Sequence, residues 1–335
     1  MILKQFAYLA HWILTLDTAA FFSFLDFAQT KSRRSKTGLA LDSFYSVIKF
    51  RISIMEYFQF GFFLANNDVR STYVGTPLLE EYQLRVNPKS ERHYLHNKID
   101  FLETYAPFIK HGYATLDDLR ANSGAAAKVL TNKSGKIVLK STFGEGGDKI
   151  QIMSAGGLDS ASVIKCLTAT GNDFIEEYVV QHSDLARLAP TALNTVRIIT
   201  QLNGDDDVEI LGTILRISIR SSVDNWHKGN MASAVNVSTG IIDGPAFYMD
   251  ITKSDERYHP VTGVEIVGFK VPFWQETLRM AKSAALHNKK NRSIGWDIAV
   301  TDQGPDLIEG NHNWDKVLWQ RAAGRGLKPL IQAYV

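Results

Sequence analysis

Near the C-terminal end of this chain, two apolar runs carry acids at strand spacing. Ser293–Ile294–Gly295–Trp296–Asp297–Ile298–Ala299–Val300 holds Asp297, and Asp306–Leu307–Ile308–Glu309–Gly310–Asn311 holds Glu309 and Asn311. Residues two apart on a strand point to one face, so Asn311 shares the face of Glu309. A hairpin through Asp302–Gln303–Gly304–Pro305 would bring Asp297 beside them. Two carboxylates and an amide oxygen on one sheet face make a hard-oxygen site. Such a site suits Mg²⁺ held partly by protein and partly by the phosphates of a nucleotide. The apolar neighbours of both acids argue against a solvated sheet edge.

Four earlier segments also carry chemistry. Ser141–Thr142–Phe143–Gly144–Glu145–Gly146–Gly147–Asp148 separates two expected strands, Lys136–Lys140 and Lys149–Met153. It lacks the Gly-Lys-Ser/Thr ending of a P-loop, and no third glycine or helix follows as in a dinucleotide fingerprint. What remains is a loop whose amides can turn toward a phosphate, with Lys140 adding a point charge. An ordinary loose hairpin is the alternative. Glu176–Glu177–Tyr178–Val179–Val180–Gln181–His182 leaves two acids for an apolar pair, a pattern suited to a purine edge and a ribose, or to two exposed acids at a strand start. Arg197 and Arg216 lie in the strands Thr195–Leu202 and Val208–Ile217, joined at the Asn203–Gly204 turn. Paired antiparallel, they share a face and suit a phosphate or carboxylate, or a structural ion pair with an acid such as Glu209. The polar loop Asp224–Asn225–Trp226–His227–Lys228–Gly229–Asn230 follows.

The elements that must position these residues are those of an ordinary globular chain. Its 335 residues are 45% hydrophobic and 21% charged, and a net charge of +2 makes no case for nucleic acid. A single cysteine, Cys166, excludes an intramolecular disulfide and a cysteine zinc site, which fits a cytoplasmic protein. Residues 1–89 read as helical and aromatic-rich. The apolar stretch Phe6–Phe27 has no cleavage site after it, and His11, Asp17 and Asp26 interrupt it. It reads as a buried or subunit-contact helix, with a membrane-surface helix as the alternative because Lys31–Ser32–Arg33–Arg34–Ser35–Lys36 follows. Leu41–Phe50 reads as a helix capped by Asp42 or Ser43, and Arg92–Ala106 as one helix with Tyr94, Leu95, Ile99 and Leu102 on one face. A helix is expected over 160–168 and a strand over 174–181. Further strands are expected at 234–237, 246–249 and 264–271, with helices over 273–286 and from Trp314 to Gly324. Strands and helices alternate without βαβ spacing, so the fold class is α+β.

Taken in order, these pieces resemble the ATP-grasp superfamily, and within it the sugar-transfer-associated ATP-grasp family. The resemblance rests on Lys140 with the glycine turn, Glu176–Glu177–Tyr178, Asn194–Thr195–Val196–Arg197, and Asp224–Asn225 with its loop. Ser238–Thr239–Gly240, Gly295–Trp296–Asp297–Ile298–Ala299 and Ile308–Glu309–Gly310–Asn311 complete it. It implies two α+β lobes clamping ATP, over 90–175 and 176–335, behind the helical region 1–89. Lys98 and Lys140 would contact phosphates, and the loop of Gly144, Gly146 and Gly147 would close over them. Glu176, Glu177, Val179, Val180 and His182 would hold the adenosine. Arg197, Arg216 and Asn225 would serve the reacting phosphoryl group, and Asp297, Glu309 and Asn311 would hold Mg²⁺. Glu145 departs from the pattern, because an acid stands where phosphates are expected. The implied reaction joins a small-molecule carboxylate, a uronic or amino acid, to an amine through an acylphosphate, in surface-polysaccharide or related biosynthesis. A phosphotransferase acting on a hydroxyl, or a nucleotide-binding scaffold at the membrane periphery, are the alternatives.

Overall fold

Two antiparallel sheets carry most of the arginines and acids of interest, and local β-propensity explains most of their strands. The computed structural model describes residues 2–144, 150–204 and 207–334, with side chains from Tyr8 onward. Glu145, Gly146, Gly147 and the expected strand start Lys149 lie outside these residues. The smaller sheet holds β1 (Tyr113–Thr115), β2 (Lys136–Lys140), β3 (Gln151–Ser154) and β4 (Phe174–Glu177), in the order β1-β4-β2-β3. The larger holds β5 (Thr195–Leu202), β6 (Val208–Ile217), β7 (Met231–Ala234), β8 (Phe247–Tyr248), β9 (Ser293–Thr301) and β10 (Gly304–Asn311), in the order β10-β9-β5-β6-β7-β8.

Every residue of β5 and β9 is buried. The helix Trp274–His287 packs on one face of this sheet, and the helices Thr76–Val86 and Lys316–Ala323 pack on the other. Strands covered on both faces read as continuous apolar runs, which β9 does except at Ser293, Asp297 and Thr301, whereas β5 also buries Thr195, Arg197, Thr200 and Gln201. The helices Leu116–Arg120, Gly124–Leu130 and Ser160–Thr170 cover the smaller sheet. In the N-terminal region, the helices Thr18–Ser32, Lys36–Phe50 and Ile54–Gln59 close over an aromatic cluster in which Phe21 meets Phe58 edge-on at 5.7 Å.

Several expected elements differ. The stretch 6–27 is not one helix. Ile2–Leu14 and Thr18–Ser32 are bent by 102° at a break where Asp17 caps the second helix through Ala20 N at 3.0 Å. No single helix among the described residues is long and apolar enough to cross a membrane, although this bent pair meets the length and composition together. The next helix starts at Lys36 and is capped by Ser35, not by Asp42 or Ser43. Asp42 instead sits mid-helix and binds Arg70 through two bonds of 2.9 and 2.8 Å. Residues 92–106 break at Asn97, whose side chain accepts from Ile99 N and Asp100 N and so begins a new helix, Lys98–Thr104. The strand expected over 174–181 stops at Glu177, and 264–271 forms only isolated bridges. The expected lobe boundary between 175 and 176 therefore falls inside β4. Thr76–Val86, placed with the N-terminal region by its sequence, belongs to the core of the larger sheet.

Candidate functional site

The site is built on the three strands β5, β9 and β10. Register places Arg197 opposite Asp297, and Asp297 opposite Glu309. The second pairing depends on a bulge: Leu307 faces Ile298 and Glu309 faces Asp297, so Ile308 is the extra residue. Such a bulge re-aims the following side chain. Without it, Ile308 would stand opposite Asp297.

Asp297 is fully buried and is held by two guanidiniums. Arg197 grips it through both carboxylate oxygens, with Nη2 at 2.9 Å from Oδ2, and Arg216 Nη2 lies 2.8 Å from the same Oδ2. Arg216 also donates to Thr195 Oγ1 at 3.0 and 2.6 Å, and its Nε lies 3.2 Å from Asp224 Oδ2. Asp224 Oδ2 in turn accepts from Thr195 N at 2.8 Å and Thr195 Oγ1 at 2.6 Å. Burial opposes charge on Asp297, but Arg197 and Arg216 outweigh it and hold its carboxyl well below the usual range. The arginines thus share a face as expected, but their acid partner is Asp297, not Glu209, which is exposed opposite Gln201. Gly295 makes room for this arrangement. A Cβ there would stand 2.7 Å from Trp314 Cβ and 3.0 Å from Arg197 Cδ.

Glu309 and Asn311 adjoin the network. Burial and then the neighbouring Asp297 charge push the Glu309 carboxyl up, so it is protonated more readily than a free one. Asn311 Nδ2 donates to Glu309 Oε1 at 3.1 Å, which leaves the amide oxygen outside that bond. With Glu309 neutral, two guanidiniums face two carboxylates. Ionising Glu309 adds a second negative charge next to Asp297 that Arg216 and Lys98 offset only in part, and a divalent cation would relieve it. The three side chains therefore fit Mg²⁺ by charge and by oxygen type.

The smaller sheet supplies the other half. Lys98 Nζ donates to Gly144 O at the start of the glycine turn, and its charge acts on Glu309. Thr142, two residues earlier, donates its N–H to Asp173 Oδ1 at 2.8 Å. Lys140 on β2 forms an ion pair with Glu176 on β4. Glu176 is buried and faces Lys140, so its side chain is not at the connector where a ribose contact was expected. Glu177 Oε2 accepts from Gly112 N at 3.2 Å. The connector between sheets is anchored at its ends, by Tyr178 N to Lys136 O at 3.2 Å and His182 N to Val300 O at 2.7 Å. Between them Val179 is half-buried and Val180 exposed, and among the described residues no backbone bond holds either amide. The His182 ring accepts from Asp184 N at 3.1 Å.

Asn225 is tied locally: its Oδ1 accepts from His227 N at 2.9 Å and caps a short turn. Its neighbour Asp224, not singled out as a site residue, is the one that reaches Arg216. An acid opening a polar loop just after an arginine strand was the available signal. Sequence reading also missed His111 and Asp306. His111 is buried, with Nδ1 3.0 Å from Asp306 Oδ2 and Nε2 3.7 Å from Glu176 Oε2. Asp306 opens the same apolar run as Glu309, which could have marked it. Nothing in the pattern around His111 sets it apart.

The fold and this site define an ATP-grasp protein: two antiparallel α+β lobes with a lysine pair on one and an acid pair on the other. Residues 78–334 match the family described as sugar-transfer associated ATP-grasp, and the chain belongs to that family. No match was found among curated proteins. Similar solved structures include the ATP-grasp ligase PsnB complexed with minimal precursor, at 15% identity, 74% of this chain, 62% of that chain and TM-score 0.43. D-cycloserine synthetase DcsG is similar at 10% identity, 75% of this chain, 74% of that chain and TM-score 0.40. An L-amino acid ligase from Bacillus licheniformis is similar at 10% identity, 65% of this chain and TM-score 0.38, and this chain spans only 40% of its length.

Proposed function

We propose that this chain is an ATP-dependent carboxylate–amine ligase that joins a sugar acid or amino acid to an amine. The observation that carries this reading is the Asp297–Glu309 pair, a buried and a half-buried carboxyl in contact beside the guanidiniums of Arg197 and Arg216. Membership of the sugar-transfer associated ATP-grasp family supports it.

In this reading, a carboxylate oxygen of the acid attacks the terminal phosphorus of ATP, and the bond to ADP breaks. The resulting acylphosphate is attacked by the amine, phosphate leaves, and the amine proton passes to solvent. Asp297, Glu309 and Asn311 would hold Mg²⁺, which offsets charge on the phosphate oxygens. The chain's own part is positioning and charge. Arg216, held by Thr195 and Asp224, presents a fixed guanidinium. Arg197 is nearly sealed from solvent and keeps Asp297 in place and ionised. Lys98 and Lys140 bring positive charge to the smaller-sheet side, and the amides of Val179 and Val180, which no described backbone group holds, suit the edge of a purine.

The test combines Mg²⁺-ATP with a panel of uronic and amino acids, each with hydroxylamine and then with candidate amines. Expected are ADP and phosphate release, a hydroxamate from one acid, and an amide mass from one pair. A stable phosphorylated product that resists hydroxylamine would make the protein a phosphotransferase. ATP binding with no release across the panel would remove the ligase assignment in favour of a scaffold.

A further inference from the structure

A second concavity lies beyond the end of β6, and it shares no lining residue with the Asp297 network or with the lysines of the smaller sheet. Its volume is about 350 Å³, within the roughly 300–1,000 Å³ typical of small-molecule sites. Three cationic side chains line it, Arg220, Lys228 and Lys253, and no acidic one does among the described residues. Neither Arg220 nor Lys253 forms an ion pair with a described acid. Lys253 Nζ instead stands over the Tyr248 ring at 4.7 Å. Tyr248, Pro260 and Val261 supply apolar wall.

The walls of this cavity are held from within. Asn230 is 1% exposed and is bonded to three backbone positions of the stretch 219–225. Its Oδ1 accepts from Ile219 N at 3.1 Å, and its Nδ2 donates to Val223 O at 2.7 Å and Asn225 O at 3.0 Å. His259, also 1% exposed, joins the Pro260–Val261 wall to the end of β6, with Nε2 2.8 Å from Ser218 O. The same loop carries Asp224, which contacts Arg216. Arg220 lies four residues beyond Arg216, so their backbones are at most about 13 Å apart at strand rise. A cationic pocket with a fixed frame therefore opens one short reach from the guanidinium at the proposed reaction centre.

We propose that this cavity binds the acid substrate of the ligase through a second anionic group, a phosphate or a carboxylate. The reacting carboxylate lies toward Arg216, and the second anion sits among Arg220, Lys228 and Lys253 with the body of the ligand against Tyr248 and Val261. The proposal rests on the ligase reading and narrows its substrate to a doubly anionic small acid. The Arg220 guanidinium and the Lys253 ammonium, neither paired with a described acid, favour such a group over a neutral one.

Calorimetric titration of the full chain with glucuronic acid 1-phosphate, glucaric acid and glucuronic acid tests it. At least one of the two doubly charged probes is expected to bind tenfold or more tightly than glucuronic acid. Which one does so identifies the second group as phosphate or carboxylate. The double variant Arg220→Ala/Lys253→Ala, both exposed positions, is expected to erase that advantage with an unchanged melting temperature and unchanged ATP affinity. Equal binding of all three probes, or an advantage that survives the double variant, would overturn the proposal. ATP titrated alone separates the two readings: loss of ATP binding in the unmodified protein would sink the ligase, and the anion titrations would still decide the cavity.

Discussion

Asp297 and Glu309 touch, yet they should answer to mutation in opposite ways. Asp297 neutralises two guanidiniums, one of them 7% exposed. Asp297→Asn removes the charge and leaves Arg197 buried without its counter-ion. Breaking a buried pair on one side costs about 3–5 kcal/mol, so the urea midpoint should fall sharply. Glu309 carries no such duty, because its carboxyl is pushed toward the neutral form by burial and by Asp297. Glu309→Ala should keep the melting temperature within a few degrees. It should also cut Mg²⁺-dependent ATP turnover by at least the roughly 10–100-fold seen when mere supporting residues of metal sites are lost. Wild-type turnover in Glu309→Ala would remove it from the metal set.

The strand β9 works because its second face is packed as tightly as its first. Gly295 lies where Trp314 Cβ and Arg197 Cδ would sit 2.7 and 3.0 Å from any added Cβ. Gly295→Ala must therefore move either the tryptophan or the arginine stem. Overpacking of this kind costs about 1–3 kcal/mol, measurable by denaturant melts. ATP turnover should drop with it, because the Arg197 grip on Asp297 shifts. A melt and turnover both equal to wild type would show that Trp314 can yield freely. The bulge at Ile308 is the complementary device on β10, since it decides that an acid and not an isoleucine faces Asp297.

At the scale of the whole molecule, the two lobes meet through a buried charged chain. Lys140 and Glu176 belong to the smaller sheet, Asp306 to the larger, and His111 stands between Glu176 and Asp306. Burial opposes charge on His111, but the Asp306 bond and the Glu176 charge outweigh it and raise its pKa above the ordinary 6.5. A raised histidine pKa contributes stability that is fully present below about pH 6.5 and is lost as pH rises through the folded-state pKa. The slope is at most about 1.4 kcal/mol per pH unit for one proton. Urea midpoints measured from about pH 6 to 9 should decline in the wild-type protein, and His111→Gln should flatten that decline. An unchanged slope in the variant would assign the pH dependence elsewhere.

Alternation and turn chemistry are local properties, so much of the scaffold could be read directly from residue order. The runs 195–202, 208–217, 293–300 and 306–311 fall within or match strands β5, β6, β9 and β10. β5 and β6 pair antiparallel as expected, and Asp297, Glu309 and Asn311 stand together. Motif order along the chain was enough to indicate the ATP-grasp family. What residue order did not contain was the partner of each charge. That Asp297 binds both arginines, that Asp224 and not Asn225 reaches Arg216, and that Glu176 turns inward to Lys140 all depend on residues far apart in the chain. Those contacts follow from sheet register, and a one-residue slip or a single bulge turns a side chain to the other face. Register is set by how both faces of the sheet pack against helices, so only the assembled tertiary structure decided which charges meet.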